Sequence, residues 1–290
     1  MGDASRVENL QPGDHACLTF SDDEERIDIV AAFVRDGLRL GQKVLCLTEA
    51  VPEATLAGEL GQRGLPVDVA AEVGQLTVMG SGDVFISGGS FSMIHMIGTM
   101  RDEIEKARRE GYHGLRITSD MCWALRPVSG ISQLMDYETA LSKLLAEQKA
   151  TAVCQYDRQC FDTVTLAGVV AHHGLTVAAV TYHDDALLRI CRQHVPPGIR
   201  VAGEIDYRAA GPFKQALTEA LGLDDHIDVN LSQLRFIDAA IAGTLLQAAI
   251  SIAPPRVMTV RCRPLVHKVL EILGANDIAS LRMVAVGDGS

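Results

Sequence analysis

Ala16-Cys17-Leu18-Thr19-Phe20-Ser21-Asp22-Asp23-Glu24 reads as a buried strand that runs directly into a helix start. Five mostly apolar residues are followed by a hydroxyl and three acids, which suit the unpaired N–H groups and positive end of a first helical turn. Ile27, Val30, Ala31, Val34 and Leu38 then recur at three- and four-residue spacing, and Gly41 stops the run. Working outward, the same alternation continues. Val44 to Thr48 reads as a strand, Pro52 to Arg63 as a helix and Leu76 to Met79 as a strand. A loop of small residues follows, containing Gly80-Ser81-Gly82 and Gly88-Gly89-Ser90. Ser92 to Glu110 is a long amphipathic helix. Strands at Leu115 to Thr118, Thr151 to Tyr156 and Leu175 to Val180 then alternate with helices at Ile131 to Glu147 and Thr163 to His172. Strands separated by helices of this length predict an α/β fold, a parallel sheet covered on both faces and connected by right-handed crossovers.

Asp184 to Pro197 reads as a further helix, leading to a break at Pro196-Pro197-Gly198. The expected organisation is a first domain over 10–182, a linker helix and break over 183–197, and a second domain over 198–288. In the second domain the pattern predicts strands at Ile199 to Ile205, Ile227 to Asn230, Val257 to Cys262 and Leu281 to Val286. Helices are expected at Gly211 to Leu221, Ala239 to Ile252 and Leu265 to Leu273. A chain of 290 residues suits two domains better than one.

The charge balance narrows the partners. Thirty-seven acidic against 26 basic residues give a net charge of −11, which argues against a nucleic-acid partner. The densest basic cluster, Lys106-Ala107-Arg108-Arg109, is followed at once by Glu110 and reads as a solvated helix face. Met1 to Asp14 lacks the apolar core of a signal peptide, and no apolar run approaches the roughly 20 residues of a bilayer span. A cytoplasmic protein without membrane contact is expected. The seven cysteines (Cys17, Cys46, Cys122, Cys154, Cys160, Cys191 and Cys262) are widely spaced and include no C-x-x-C, so they read mainly as buried thiols.

Val201-Ala202-Gly203-Glu204-Ile205-Asp206, the phrase Asp228-Val229-Asn230-Leu231-Ser232-Gln233-Leu234-Arg235-Phe236-Ile237-Asp238, and the ending Val266 to Ala275 resemble the STAS domain of sulfate transporters and anti-sigma-factor antagonists. The resemblance implies a small α/β domain with a mixed sheet, a protein partner, and a Ser or Thr just after the Phe-Ile-Asp turn that a partner kinase phosphorylates. Here Asp238 is followed by Ala239, Ala240, Ile241 and Ala242, so that switch has no hydroxyl to act on. Asp238, Ala239 and Ala240 are the candidate partner-binding residues. Asp238 serves equally well as a helix cap, and Thr244 is expected to be buried by helical phase.

Gly13-Asp14-His15-Ala16-Cys17-Leu18, Arg116-Ile117-Thr118-Ser119-Asp120-Met121-Cys122-Trp123-Ala124-Leu125 and Cys154-Gln155-Tyr156-Asp157-Arg158, in that order, resemble the MEDS family of sensory domains. This implies a RecA-like parallel-sheet sandwich used to sense small organic molecules, typically fused to a signalling module. Members commonly carry Glu where this chain has Asp120, so the shorter side chain leaves the ligand open. The phosphate-binding G-x-x-x-x-G-K-[ST] of a nucleotide hydrolase is absent, and Ser21-Asp22-Asp23-Glu24-Glu25 would repel a triphosphate.

Strand ends of such a sheet are the natural ligand site. The candidates are His15 before the first strand, Glu49 after the second, Asp120 after the fourth, Trp123 as an apolar wall, and Tyr156-Asp157 at the end of the fifth. Each has a plainer alternative: a turn hydrogen bond for His15, a helix start for Asp120 and Trp123, and a strand terminus with a buried hydroxyl for Tyr156-Asp157. His172-His173 and His183-Asp184-Asp185 look like metal ligands. Neighbouring side chains on one element diverge, however, and no third ligand has suitable spacing, so no metal is expected. No motif specifies a cofactor. A single His, Cys or Tyr suffices as a haem ligand, but no motif supports one. The expectation is a non-catalytic signalling regulator whose first domain binds a small-molecule ligand and whose second engages an anti-sigma factor or related protein kinase; a homodimer is compatible with it. A diverged nucleotide-binding enzyme and a ligand-free scaffold are the alternatives.

Overall fold

The structure, a computed structural model, describes residues 5–286. The chain divides between Ala178 and Ala179 into two compact units. The first holds β1 (His15–Phe20), α1 (Asp23–Arg39), β2 (Lys43–Thr48), α2 (Glu53–Gln62), α3 (Val67–Glu72), β3 (Leu76–Gly80), α4 (Ser81–Phe85) and α5 (Met93–Arg109). It continues through β4 (Leu115–Asp120), α6 (Leu134–Gln148), β5 (Thr151–Asp157), α7 (Thr163–His172) and β6 (Leu175–Val177). Its six strands run in the order β3-β2-β4-β5-β1-β6, and every pairing is parallel. This is the α/β sandwich that the alternation of strands and helices predicts. β1, β2, β4 and β5 are buried almost throughout, as expected of strands covered on both faces.

Helix starts are where the local chemistry says they should be. The Asp22 carboxylate accepts from Glu25 N at 2.9 Å, and the Asp162 carboxylate accepts from Val164 N and Thr165 N. Two features around β3 differ from expectation: Ser81 to Phe85, in the small-residue loop, is a short helix, and α3 precedes the strand. Gly82 N donates to Glu49 Oε2 at 3.1 Å, so a side chain from another strand end supports the short helix.

The second unit holds β7 (Thr181–Asp184), β8 (Leu188–Gln193), β9 (Gly198–Ile205), α8 (Ala210–Leu223), β10 (Ile227–Leu231) and β11 (Leu234–Ile237). It ends with α9 (Ala239–Ile250), β12 (Met258–Cys262), α10 (Pro264–Ile272) and β13 (Leu281–Ala285). The sheet order is β13-β12-β10-β9-β8-β7, with β11 pairing the far half of β9. β7, β8 and β9 are antiparallel neighbours and the remaining pairs are parallel, giving a mixed sheet.

The linker helix expected over 183–197 is corrected: this segment forms most of the β7–β8 hairpin and the turn into β9. Leu188 and Ile190 alternate into the core of this unit, the two-residue period of a strand. Arg192 is buried in a two-pronged ion pair with Asp224 at 2.5 and 2.6 Å. Gly203 has φ +103°, and a Cβ there would lie 1.9 Å from the Leu187 carbonyl oxygen, so the β8–β9 contact requires glycine. The second domain was expected to reach 288; residues 287 and 288 lie outside the described residues.

Candidate functional site

The groups expected to converge at one edge of the first sheet fall into two places. The first is the carboxyl edge. β4 delivers Asp120, fully buried, between the ends of β2 and α1. Asp120 Oδ2 accepts from Arg26 Nη2 at 2.8 Å, Ala50 N at 2.9 Å and Glu49 N at 3.3 Å, and Oδ1 accepts from Cys122 N at 3.0 Å. Burial works against its charge. The Arg26 guanidinium and the N–H groups of Ala50 and Cys122 outweigh that cost and hold the carboxyl below its ordinary value. Arg26 also donates to Gln155 Oε1 at 2.7 Å and lies over the Phe20 ring. Arg26, in the first turn of the helix after β1, is thereby committed to the ends of β4 and β5. Glu49 stands beside Asp120, paired with Arg126.

Asp157 does not join this network. It accepts from Gln159 N at 2.8 Å and Cys160 Sγ at 3.3 Å, organising the exposed turn after β5. Trp123, expected as a ligand wall, is placed in the core of the first unit. It is fully buried, stacked on Phe85 at 4.6 Å and tilted against Phe91 at 5.0 Å.

The second place lies under the sheet, where His15 and Tyr156 meet α6 and α7. Two-residue periodicity puts His15 of β1 and Cys154 and Tyr156 of β5 on one face. Glu138 rises from α6 and His173 closes α7. The Tyr156 hydroxyl donates to Glu138 Oε1. Glu138 Oε2 lies 3.4 Å from His15 Nε2, 3.4 Å from His173 Nε2 and 3.7 Å from Cys154 Sγ. His15 Nε2 lies 3.3 Å from Cys154 Sγ. Burial pushes Glu138 up against the opposing pull of His173, Tyr156 and Cys154. Burial and then His173 push His15 well below its ordinary value, and burial with the nearby Glu138 pushes the Cys154 thiol well up.

Here the expectation that His173 lacks further ligand-type neighbours is corrected. His172 and His173 do diverge, but the companions of His173 come from positions 15, 138 and 154, which no local spacing reveals. Glu138 was missed although a signal exists: it occupies the inward stripe Leu134-Glu138-Leu141-Leu145, where a carboxylate is out of place. His183 pairs with Asp185 at 2.8 Å and belongs to a separate, exposed turn.

In the second unit Asp238 caps α9. Its Oδ1 accepts from Ile241 N at 2.8 Å and its Oδ2 from Tyr207 N at 2.7 Å. Ala239 and Ala240 are exposed, with the exposed rings of Phe236 and Tyr207 beside the same turn. Thr244 is half-buried rather than buried, and its hydroxyl donates to the Ala240 carbonyl.

A parallel α/β sandwich followed by a mixed-sheet unit defines a two-domain protein of the α/β class. Residues 14–174, more than half the chain, match the MEthanogen/methylotroph, DcmR Sensory domain, and the chain belongs to this MEDS family. Residues 188–284 match the STAS domain of the type described as Mlab. Among solved structures, a KaiC-like protein from the hyperthermophilic archaeon Pyrococcus horikoshii is similar at 12% identity and a TM-score of 0.46, covering 63% of this chain and 79% of that one. No helix among the described residues is long and apolar enough to cross a membrane. The protein therefore joins a sensory domain to a STAS domain, an arrangement that serves signalling and regulation.

Proposed function

We propose that the protein is a non-catalytic cytoplasmic regulator whose MEDS unit senses a small molecule and whose STAS unit engages an anti-sigma factor or related kinase-like protein. The observation that carries this reading is the exposed turn Phe236 to Ala240, which keeps the cap and apolar contacts of a docking surface but has no hydroxyl to phosphorylate. Partner engagement is then set by ligand occupancy rather than by modification, and it responds to the ligand only to the extent that the ligand binds two conformations unequally. The acids after β1 and the commitment of Arg26, in the first turn of α1, to Asp120 argue against triphosphate turnover.

The test combines native mass spectrometry of the full chain with capture of its partner. The reading expects a small-molecule mass that is lost on denaturation. It also expects a captured kinase-like protein that Ala240→Arg no longer retains. A bare native mass together with partner capture indifferent to Ala240→Arg would refute it, and nucleotide hydrolysis by the purified chain would refute its non-catalytic part.

A further inference from the structure

Between the first sheet and helices α6 and α7, four buried side chains bring ligand-type atoms within 4.8 Å of one another: His15, Glu138, Cys154 and His173. Their proton inventory is unusual. The Ser142 hydroxyl donates to the Glu138 carbonyl at 3.0 Å, so it accepts from His15 Nδ1 at 2.7 Å, and that nitrogen carries the ring hydrogen. His173 Nδ1 faces the Val169 carbonyl at 2.8 Å, and a carbonyl only accepts, so Nδ1 carries the hydrogen there too. A neutral imidazole has one N–H, and both Nε2 lone pairs therefore point inward. Glu138 Oε2 joins them, its other oxygen being taken by Tyr156. With both imidazoles neutral and Glu138 ionised, the Cys154 thiol supplies the single hydrogen among four electron-pair donors. His173 Nε2 has no hydrogen-bond partner among the described residues, and no lysine or arginine reaches Glu138 among them. A buried set of acceptors this short of donors calls for a cation.

The spacing identifies which kind. Ligands at about 2.0–2.1 Å (N, O) and about 2.3 Å (S) around a tetrahedral ion stand roughly 3.3–3.6 Å apart. Four of the six separations are 3.3, 3.4, 3.4 and 3.7 Å, and the other two lie within 4.8 Å. We propose that His15, Glu138, Cys154 and His173 bind one divalent transition-metal ion in a tetrahedral site of two imidazoles, a carboxylate and a thiolate, for which zinc is the chemical match. On binding, the Cys154 S–H bond breaks, sulfur keeps the electron pair and bonds the ion, and the proton leaves to solvent. Thiolate and carboxylate then neutralise the two positive charges, which suits a dry interior. Ser142, the Val169 carbonyl and Tyr156 fix the orientation of the ligands, the supporting shell that metal-bound imidazoles and carboxylates require. With four protein ligands the site is of the closed, structural type. It ties β1 and β5 to α6 and α7 and does not depend on the regulatory reading above.

The test uses the full, tag-free chain, unfolded with chelator and refolded with or without Co2+, because the site is buried. Zinc content of the protein as purified is measured alongside. The expected result is one metal per chain, the visible bands of tetrahedral Co2+ and a thiolate-to-cobalt charge-transfer band. Cys154→Ser should abolish the charge-transfer band, Tyr156→Phe should weaken binding about 10–100-fold, and His172→Gln should change neither. A wild-type chain that refolds with native circular dichroism yet shows no zinc and no cobalt bands overturns the proposal and leaves an imidazolium–carboxylate pair in its place. If Cys154→Ser does not fold, the presence or absence of the wild-type charge-transfer band decides.

Discussion

Replacing Asp120 by Asn tests whether the carboxyl edge of the first sheet is a clamp or an open binding site. The substitution leaves no cavity, yet it is severe. One carboxylate oxygen faces Arg26, Ala50 and Glu49, the other faces Cys122, and all four are donors. Whichever way the amide turns, its NH2 meets an N–H. Arg26, 3% exposed, keeps among the described residues only Asp23 at 3.7 Å as a counter-charge. Breaking one side of a buried ion pair costs about 3–5 kcal/mol. For a unit ending at Ala178, where each kcal/mol moves Tm by about 2–4 °C, the fall should be roughly 6–20 °C. Trp123 is the only tryptophan and sits in the core of this unit, so its fluorescence reports the right transition. Glu49→Gln is the control: its partner Arg126 is half exposed, and such pairs are worth about 0–1 kcal/mol. Arg26→Met combined with Asp120→Asn should recover part of the loss. A fall below about 2 °C for Asp120→Asn would mean that Asp120 is not held as described and is free for a ligand.

Acidification should act through the same group. Its folded carboxyl lies below the unfolded value of about 3.9, so the stability it contributes is complete above that value and is lost as pH falls through the folded pKa. Wild-type Tm should drop over that window, while Asp120→Asn should show a flatter acid limb. Trp123→Ala should cost about 3–5 kcal/mol in urea unfolding followed by circular dichroism; a small loss would restore the idea of a ligand wall. Asp238→Ala should cost about 0.5–2 kcal/mol, and hydrogen exchange should quicken at Ile241 and at Tyr207, whose N–H groups its carboxylate accepts.

Much of the fold was legible because its signals are local. Asp22, Ser92, Asp162 and Asp238 each cap the helix that follows, and apolar spacing separates strands from helices along most of the chain. The β7–β8 hairpin was read as a helix, and the partner that lets Arg192 be buried there, Asp224, lies 32 positions away, beyond any local pattern. The carboxyl-edge candidates Asp120 and Glu49 could be read from strand ends, but Arg26 and Gln155, which join the Asp120 network, sit within runs that read only as helix and strand. His15 and Tyr156 were singled out, yet the strand pleat turns them beneath the sheet instead of toward its edge. Glu138 alone carried an unread local mark, a carboxylate in an apolar stripe.

The hairpin also dictates how this chain can be divided. β8 pairs with β9 along six residues, from Leu188 opposite Gly203 to Gln193 opposite Gly198. A fragment cut at Pro197 would strip that partner away, leaving a row of open N–H and C=O groups along a strand rich in Ile and Val, and it would remove the Arg192 that neutralises Asp224. Such an edge recruits other chains. A fragment beginning at Ala179 keeps the edge covered, so the two cuts, only 19 residues apart in sequence, separate a soluble STAS unit from an aggregating one.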